Sequence, residues 1–129
     1  MNLSETRLCS YCELHDETIS HLFYNCIHTK KMWKEVQTYF SNRINLPHLT
    51  LQGALFGFLD ATKEDYMLTN IILLTFKITL YQQRGKYLAL ISIINNISKR
   101  EKIERSYSID DPQKSLYHQN KWQRLYPLL

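Results

Sequence analysis

The chain has 129 residues, 44% of them hydrophobic, and a formal net charge of +4. This composition is typical of one globular domain, or of a small module joined to a helical body. The most apolar stretch, Ile71 to Tyr81, contains Lys77 and is shorter than a bilayer about 30 Å thick requires, so we expect no membrane partner.

The cysteine count also indicates the redox environment in which the protein is expected. There are three cysteines, and an odd number fits a disulfide framework poorly. The N-terminus lacks the basic and then apolar pattern of a secretory signal. Reduced thiols predict a nuclear or cytoplasmic location.

The first predicted unit is a small module over residues 1–43. An irregular segment is followed by a helix that begins at Asp16 and Glu17, which suit the positive end of a helix dipole. We expect this helix to stop near Cys26 and to resume after Thr29, which is a typical N-cap residue. The apolar side chains recur at helical spacing, at Ile19, Leu22, Phe23, Met32, Trp33, Val36, Tyr39 and Phe40.

Residues 44–61 are predicted to be a linker, because they contain Pro47, Gly53 and Gly57. Within this segment, the short apolar run from Ala54 to Leu59 is expected to pack as an extended piece.

Residues 62–129 are predicted to be a helical region. One helix should begin at Thr62 and end near Gln83, before Gly85, and a last helix should begin at Pro112. Between them, the pattern predicts a helix with an apolar face formed by Tyr87, Leu90, Ile91, Ile94 and Ile97. Glycine and proline occur three times each, which favours long helices over short strands. The predicted fold is therefore mainly α, a small N-terminal module followed by a helical bundle.

Four residues near the N-terminus form a metal-binding pattern. Cys9, Cys12, His21 and Cys26 read as C-x2-C-x8-H-x4-C and use every cysteine of the chain. Three thiolates and one neutral imidazole match the ligand preference and coordination number of Zn²⁺. A site closed by four protein ligands leaves no position for water, so the pattern predicts structural zinc. The expected fold is thus a small Cys3His zinc module followed by a helical bundle. The alternative is that the three cysteines are small buried apolar residues.

The histidine ligand has two local competitors. His15 follows Cys12 by three residues, and His28 follows Cys26 by two. Both would crowd the metal or require an additional turn, so His21 is preferred. The remaining histidines, His48 and His118, are expected at the surface.

The region from Cys9 to Trp33 resembles the C-terminal zinc-binding (CCHC) region of non-LTR, LINE-type retrotransposon reverse transcriptases. The similarity lies in the string C-S-Y-C-x4-E-T-I-S-H-L-F-Y-N-C-x6-W. The positions that match the family signature are Cys9, Cys12, Glu17, Thr18, His21, Leu22, Phe23, Cys26 and Trp33. The later stretch from Asn70 to Tyr81 also looks like the helical segment that follows in such proteins.

This resemblance implies a module that lies beyond a polymerase domain and helps to hold RNA template or target DNA. The chain itself has no Y/F-x-D-D polymerase motif and no endonuclease motif, so we expect no catalytic activity. Asp110 and Asp111 precede Pro112 and are interpreted as a loop and a helix N-terminus rather than a nuclease metal site.

Two basic groups are candidates for contact with nucleic acid. Lys30, Lys31 and Lys34 follow the last zinc ligand and would contact phosphates, or else form a solvated helix face. The second group alternates with glutamates, which favours a salt-bridged solvent face, and comprises Lys99, Arg100, Lys102 and Arg105.

Aromatic side chains near the metal ligands are the candidates for base stacking. Tyr11 lies between the first two cysteines, and Tyr24 is expected to point away from the apolar face of its helix. Trp33 is on an apolar stripe and is expected in the core.

Three functional hypotheses follow from the sequence. The leading one is a zinc module that binds RNA or single-stranded DNA. The second is a structural or protein-interaction module, in which helices over 62–107 pack on a polymerase domain or another protein. The third is a retroelement relic without a function of its own.

Overall fold

The computed structural model describes residues 7–58 and 66–129, and within these ranges the chain is mainly helical. A Cys3His cluster lies at the N-terminal end and the helices follow it, which confirms the predicted fold class. The helices are α1 (Ile27–Phe40), α2 (Leu51–Phe56), α3 (Tyr66–Gln82), α4 (Leu90–Ser108) and α5 (Pro112–Trp122). A π-helical turn (His21–Asn25) precedes α1, and a 3-10 turn (Tyr126–Leu128) follows α5.

One hydrophobic core joins the Cys3His cluster to the helices. Buried Cys9 and Cys26 belong to the same cluster of apolar side chains as Trp33 of α1 and Phe76 of α3. The Trp33 and Phe76 rings meet edge to face with centroids 5.3 Å apart. The two cysteines are therefore part of the same core as the contact between α1 and α3.

In residues 7–58 and 66–129, two helix N-termini carry a side-chain cap. The Asp111 carboxylate accepts hydrogen bonds from the backbone amides of Gln113 and Lys114, directly before Pro112 in the first turn of α5. This confirms the interpretation of Asp111 as a helix N-terminus. The Thr50 hydroxyl accepts from the Gly53 amide and begins α2.

The segment predicted as a linker is packed against the core over its described part. Ile44 and Leu46 are buried, and the Pro47 carbonyl accepts a hydrogen bond from the Trp33 indole N–H at 3.2 Å. The apolar run from Ala54 to Leu59 was predicted to be extended, but its first three residues belong to α2, which ends at Phe56. Leu59 lies outside the described residues. The expected helix start at Thr62 lies outside the described residues.

The N-terminal module differs from the sequence prediction in two respects, the burial of Ile19 and the role of Thr29. Ile19 is 69% exposed, whereas Leu22 is buried. Thr29 does not cap α1, because the helix begins at Ile27 after Cys26 adopts an extended conformation. The Thr29 hydroxyl is instead buried and donates to the Leu22 carbonyl at 2.6 Å.

The apolar face of the fourth helix was also predicted incorrectly at its start. α4 begins only at Leu90, and Tyr87 and Ile91 are exposed. The buried side chains of α4 are Ile93, Ile94, Ile97, Glu101 and Ser108. Because α4 begins at Leu90, Tyr87 lies before the helix, where it faces solvent.

The prediction that His118 lies at the surface is wrong. His118 is buried, and its Nε2 lies 3.1 Å from a carboxylate oxygen of Glu101, which is also buried. The expected ion pairs of α4 form, Arg100 with Glu104 and Arg105 with Glu101. The prediction of a solvent face is wrong for the two glutamates, because Glu101 is buried and Glu104 accepts hydrogen bonds from Lys121 and Trp122 of α5. His48 is exposed as expected. None of the helices in residues 7–58 and 66–129 has both the length and the apolar character to cross a membrane.

Candidate metal centre and the basic surface beside it

A tight loop presents the first two cysteines. The Cys9 amide donates to the His15 carbonyl at 2.7 Å, and the Glu13 amide donates back to the Cys9 carbonyl at 2.9 Å. Glu13 closes the turn with a positive φ of 58°, a conformation that is uncommon for residues other than glycine. This loop aims the sulfurs of Cys9 and Cys12 at one point.

The other two ligands come from a helical turn that widens and then stops. The Thr18 hydroxyl accepts from the His21 amide at 3.1 Å and supports the start of the turn. The Cys26 amide donates to the His21 carbonyl, five residues earlier, which is the hydrogen bond of a π-helix. Cys26 is then extended, with φ −62° and ψ 131°. The expected helix break near Cys26 is thus confirmed, and it lets both side chains face the same point.

The four predicted ligands are brought together. The Sγ atoms of Cys9, Cys12 and Cys26 and a ring nitrogen of His21 all lie within 4.8 Å of one another. Cys9 Sγ is 3.8 Å from Cys26 Sγ, and Cys12 Sγ is 3.3 Å from His21 Nε2. Cys9, Cys26 and His21 are buried, and Cys12 is partly buried. This Cys3His cluster could hold a metal ion.

Two of the separations between ligand atoms agree with the edges of a tetrahedral site. For metal–sulfur bonds of about 2.3 Å and metal–nitrogen bonds of about 2.0 Å, a tetrahedron has sulfur–sulfur edges of about 3.8 Å and sulfur–nitrogen edges of about 3.5 Å. The two measured distances, 3.8 and 3.3 Å, share no atom and are therefore opposite edges of one tetrahedron. The sulfur and nitrogen donors and these two distances are both compatible with a tetrahedrally coordinated metal ion.

Burial controls the ionisation of the ligands. It raises the pKa of the Cys9 thiol, and the adjacent Cys26 sulfur raises it further. Burial also opposes ionisation of Cys12, but the backbone amides of Leu14 and His15 donate to its sulfur, and the pKa of Cys12 falls. For His21, burial lowers the pKa, which favours the neutral imidazole that a metal requires. Adjacent buried thiolates need a cation between them to be stable.

The two competing histidines lie outside the cluster. His15 is exposed, and its ring stands 5.2 Å from that of His21, centroid to centroid. His28 is exposed on the first turn of α1. Neither belongs to the group of ligand atoms that converge, so the geometry favours His21.

Glu17 fastens the ligand loop to the end of α3. Its carboxylate accepts from the Ser10 amide at 3.2 Å and the Ser10 hydroxyl at 3.0 Å, and it pairs with Arg84 at 3.0 Å. Burial opposes ionisation of Glu17, but these partners outweigh it and lower its pKa. Glu17 therefore acts in the loop's attachment rather than as a residue of the first helical turn.

Tyr11 makes a second attachment at the same place. Its phenol O–H donates to the Leu80 carbonyl, one of the carbonyls that the end of α3 leaves without a helical partner. Burial raises the pKa of Tyr11 to about 12. The ring is half-buried, so Tyr11 holds the loop on α3 in addition to lying beside the ligands.

The predicted basic group divides between two sides of α1. Lys30 lies over the ring of Tyr24, with Nζ 4.7 Å from the ring centroid. Lys31 and Lys34 are exposed and line a groove on the other side, together with Met32. Tyr24 is half-buried. The structure thus places Tyr24 and Lys30 against each other and does not bring them into this groove.

Two residues that the sequence analysis did not select lie across this groove. Lys86 and Tyr87 occupy the turn between α3 and α4, and Tyr87 is 89% exposed. The signal that could have identified them is the sequence Arg84-Gly85-Lys86-Tyr87, in which a glycine turn presents a base and an aromatic residue.

Comparison of the chain with protein-family models, with curated proteins and with solved structures gives no match.

Proposed function

We propose that the Cys3His cluster binds one structural Zn²⁺ ion. The observation that carries this proposal is the convergence of four ligand atoms within 4.8 Å, with two opposite edges of tetrahedral length. Three thiolates and an imidazole suit zinc better than calcium or magnesium, which prefer oxygen ligands. Zinc binding contributes folding free energy on the order of 10 kcal/mol in small modules.

The zinc is structural and the module is non-catalytic in this proposal. All four positions of a tetrahedral site are taken by protein atoms, which leaves none for a reactive water. Zinc-bound thiolates require a reducing environment, so the proposed location is nuclear or cytoplasmic.

The proposed origin of the module is the C-terminal part of a LINE-type retrotransposon reverse transcriptase. The support is the motif itself, together with the structural roles of its other residues. Glu17 attaches the ligand loop to Arg84, Thr18 supports the turn that carries His21, and Trp33 packs on Phe76. A signature that combines ligands with such residues is more specific than the four ligands alone.

The proposed activity is binding of RNA or single-stranded DNA next to the zinc site. Lys30, Lys31 and Lys34 would contact phosphates, and the rings of Tyr11 and Tyr24 lie nearby. Phosphate contacts release counterions, so the affinity should fall steeply with salt.

The test is a titration of the zinc-loaded chain with single-stranded RNA and DNA at about 50 and 200 mM salt. Three phosphate contacts should weaken binding about 20-fold between these concentrations. Replacing Lys31→Glu and Lys34→Glu together should weaken it further. Absence of salt-sensitive binding by the zinc-loaded chain would refute the proposal.

A protein-interaction module is the second candidate, favoured by an apolar stripe on α3. Leu74, Ile78 and Tyr81 are spaced along one side of the helix and are between 43% and 54% exposed. In this case zinc serves only to hold the helices, and a polymerase domain or another protein covers the stripe. Self-association of the isolated chain, lost on replacing Leu74 and Ile78 by Gln and without affinity for nucleic acid, would favour this candidate.

A further inference from the structure

A groove runs along α1 and is bounded on its other side by the turn between α3 and α4. It consists of two adjoining cavities of about 380 and 710 Å³. Both cavities are lined by Lys31, Met32, Glu35 and Tyr87. The first cavity reaches Tyr11 in the ligand loop, and the second continues to Leu90 at the start of α4. The groove therefore begins beside the metal cluster and leads away from it.

The turn that forms the far wall has a defined conformation. Gly85 has a φ of +76°, which glycine adopts without steric cost, and the Lys86 amide donates to the Gln83 carbonyl at 2.9 Å. Lys86 and Tyr87 follow at once and are exposed. The turn thus holds one base and one aromatic ring at the edge of the groove.

The charged side chains that line the groove favour an anion. They are Lys31, Lys34, Lys86 and Glu35. Within residues 7–58 and 66–129, no carboxylate lies within 4.0 Å of any of these three ammonium groups. The three lysines are therefore available to contact a phosphate backbone, whereas the negative charge of Glu35 repels phosphates.

Tyr87 offers an open aromatic ring in this setting. It is 89% exposed, whereas Tyr11 is half-buried with its hydroxyl bonded to Leu80, and Tyr24 is covered on one side by Lys30. Met32 and Leu90 provide apolar groove surface close to it. An exposed aromatic ring between exposed lysines is the arrangement by which proteins bind unpaired nucleobases and their phosphates.

We propose that this groove is the path of a single nucleic-acid strand, with Tyr87 stacking on a base and Lys31, Lys34 and Lys86 contacting its phosphates. The inference rests on the proposed function and deepens it, since it assigns the strand to one surface. It moves the stacking role from Tyr11 and Tyr24 to Tyr87. The recognised chemistry is an unpaired base flanked by phosphates, which RNA and single-stranded DNA share.

The first experiment compares Tyr87→Ala with Tyr107→Ala in the zinc-loaded full chain. Tyr107 lies on α4 and is 83% exposed, so it is a matched control. Binding of single-stranded RNA and DNA oligonucleotides is measured by fluorescence anisotropy, with a DNA duplex as a third probe. Tyr87→Ala should weaken single-strand binding about 5- to 100-fold and duplex binding much less, whereas Tyr107→Ala should change neither.

The second experiment changes the charges of the groove in both directions. Glu35→Gln should strengthen binding, which a purely structural role would not produce, and Asp110→Asn serves as an exposed control. Lys86→Ala should weaken binding and reduce the slope of log affinity against log salt by about 0.7. Lys102→Ala, on α4, should leave the slope unchanged.

The outcomes separate the two proposals. If the zinc-loaded chain binds no oligonucleotide, the proposed function and the groove both fail. If it binds but Tyr87→Ala behaves like Tyr107→Ala, only the groove fails, and a phosphate-contacting surface without stacking remains. Preference for RNA over DNA, or the reverse, identifies which strand the groove accepts.

Discussion

The guanidinium of Arg84 lies 3.0 Å from the carboxylate of Glu17, and this ion pair joins the loop that carries Cys9 and Cys12 to the turn after α3. The Glu17 side chain is 7% exposed, and Ser10 donates two further hydrogen bonds to it. The position of the loop on the helical body therefore depends on a largely buried charge with three donors.

We expect Glu17→Gln to lower the free energy of unfolding by about 1.5–3 kcal/mol, because hydrogen bonds to a charged group are lost and Arg84 is left without its partner. A double-mutant cycle with Arg84→Met, followed by urea denaturation of the zinc-loaded chain, should give a coupling energy of about 0.5–3 kcal/mol. Glu35→Gln, at an exposed position, should change the stability by less than about 0.5 kcal/mol. A coupling energy near zero would show that the ion pair does not hold the loop.

The positive φ of Glu13 makes a second prediction. At φ 58°, replacement by glycine relieves backbone strain, whereas a β-branched residue increases it. Glu13→Gly should leave the stability unchanged or raise it by up to about 1 kcal/mol, and Glu13→Val should lower it by about 1–2 kcal/mol. Thermal unfolding of the two variants checks this, and equal effects would contradict the conformation of the loop.

Glu104 predicts a pH dependence of stability. Burial raises its pKa, but hydrogen bonds from Trp122 at 2.9 Å and Lys121 at 3.1 Å outweigh this effect, and the folded-state pKa is lowered. The stabilisation is therefore complete above the unfolded-state pKa of about 4.3 and is lost as the pH falls through the folded-state value.

The Glu104→Gln variant should accordingly be less stable than the parent chain at pH 7, by about 1–3 kcal/mol, and the difference should shrink towards pH 3. Denaturation of both chains at several pH values measures it. Acid would remove any metal held by the Cys3His cluster from both chains alike, so the difference between them reports on Glu104. A difference that stays constant with pH would contradict this role.

The features that the sequence predicted well depend on local spacing. Two residues separate Cys9 from Cys12, and the four residues between His21 and Cys26 require a helix break, which the π turn and the extended Cys26 supply. Asp111 before Pro112 is likewise a local helix-start signal, and α5 begins there. Such features depend only on residues that are close in the sequence, so they can be predicted from the sequence alone.

The features that the sequence did not predict depend on distant partners. His118 is buried because Glu101, 17 residues earlier, faces it from α4. Glu17 is of a residue type that is favoured at the start of a helix, but in the structure it pairs with Arg84, 67 residues later in the chain. Tyr87 is exposed because it lies between the turn at Gly85 and the start of α4 at Leu90. The periodic spacing of apolar residues does not indicate at which residue a helix begins.

Native mass spectrometry of the chain, expressed and purified without chelators, tests the central claim most directly. We expect one zinc ion per chain, lost in Cys26→Ser and His21→Ala but retained in His15→Ala and His28→Ala. A chain that carries no zinc, or one in which His21→Ala retains the ion while His15→Ala loses it, would contradict the assignment of Cys9, Cys12, His21 and Cys26 as the ligands.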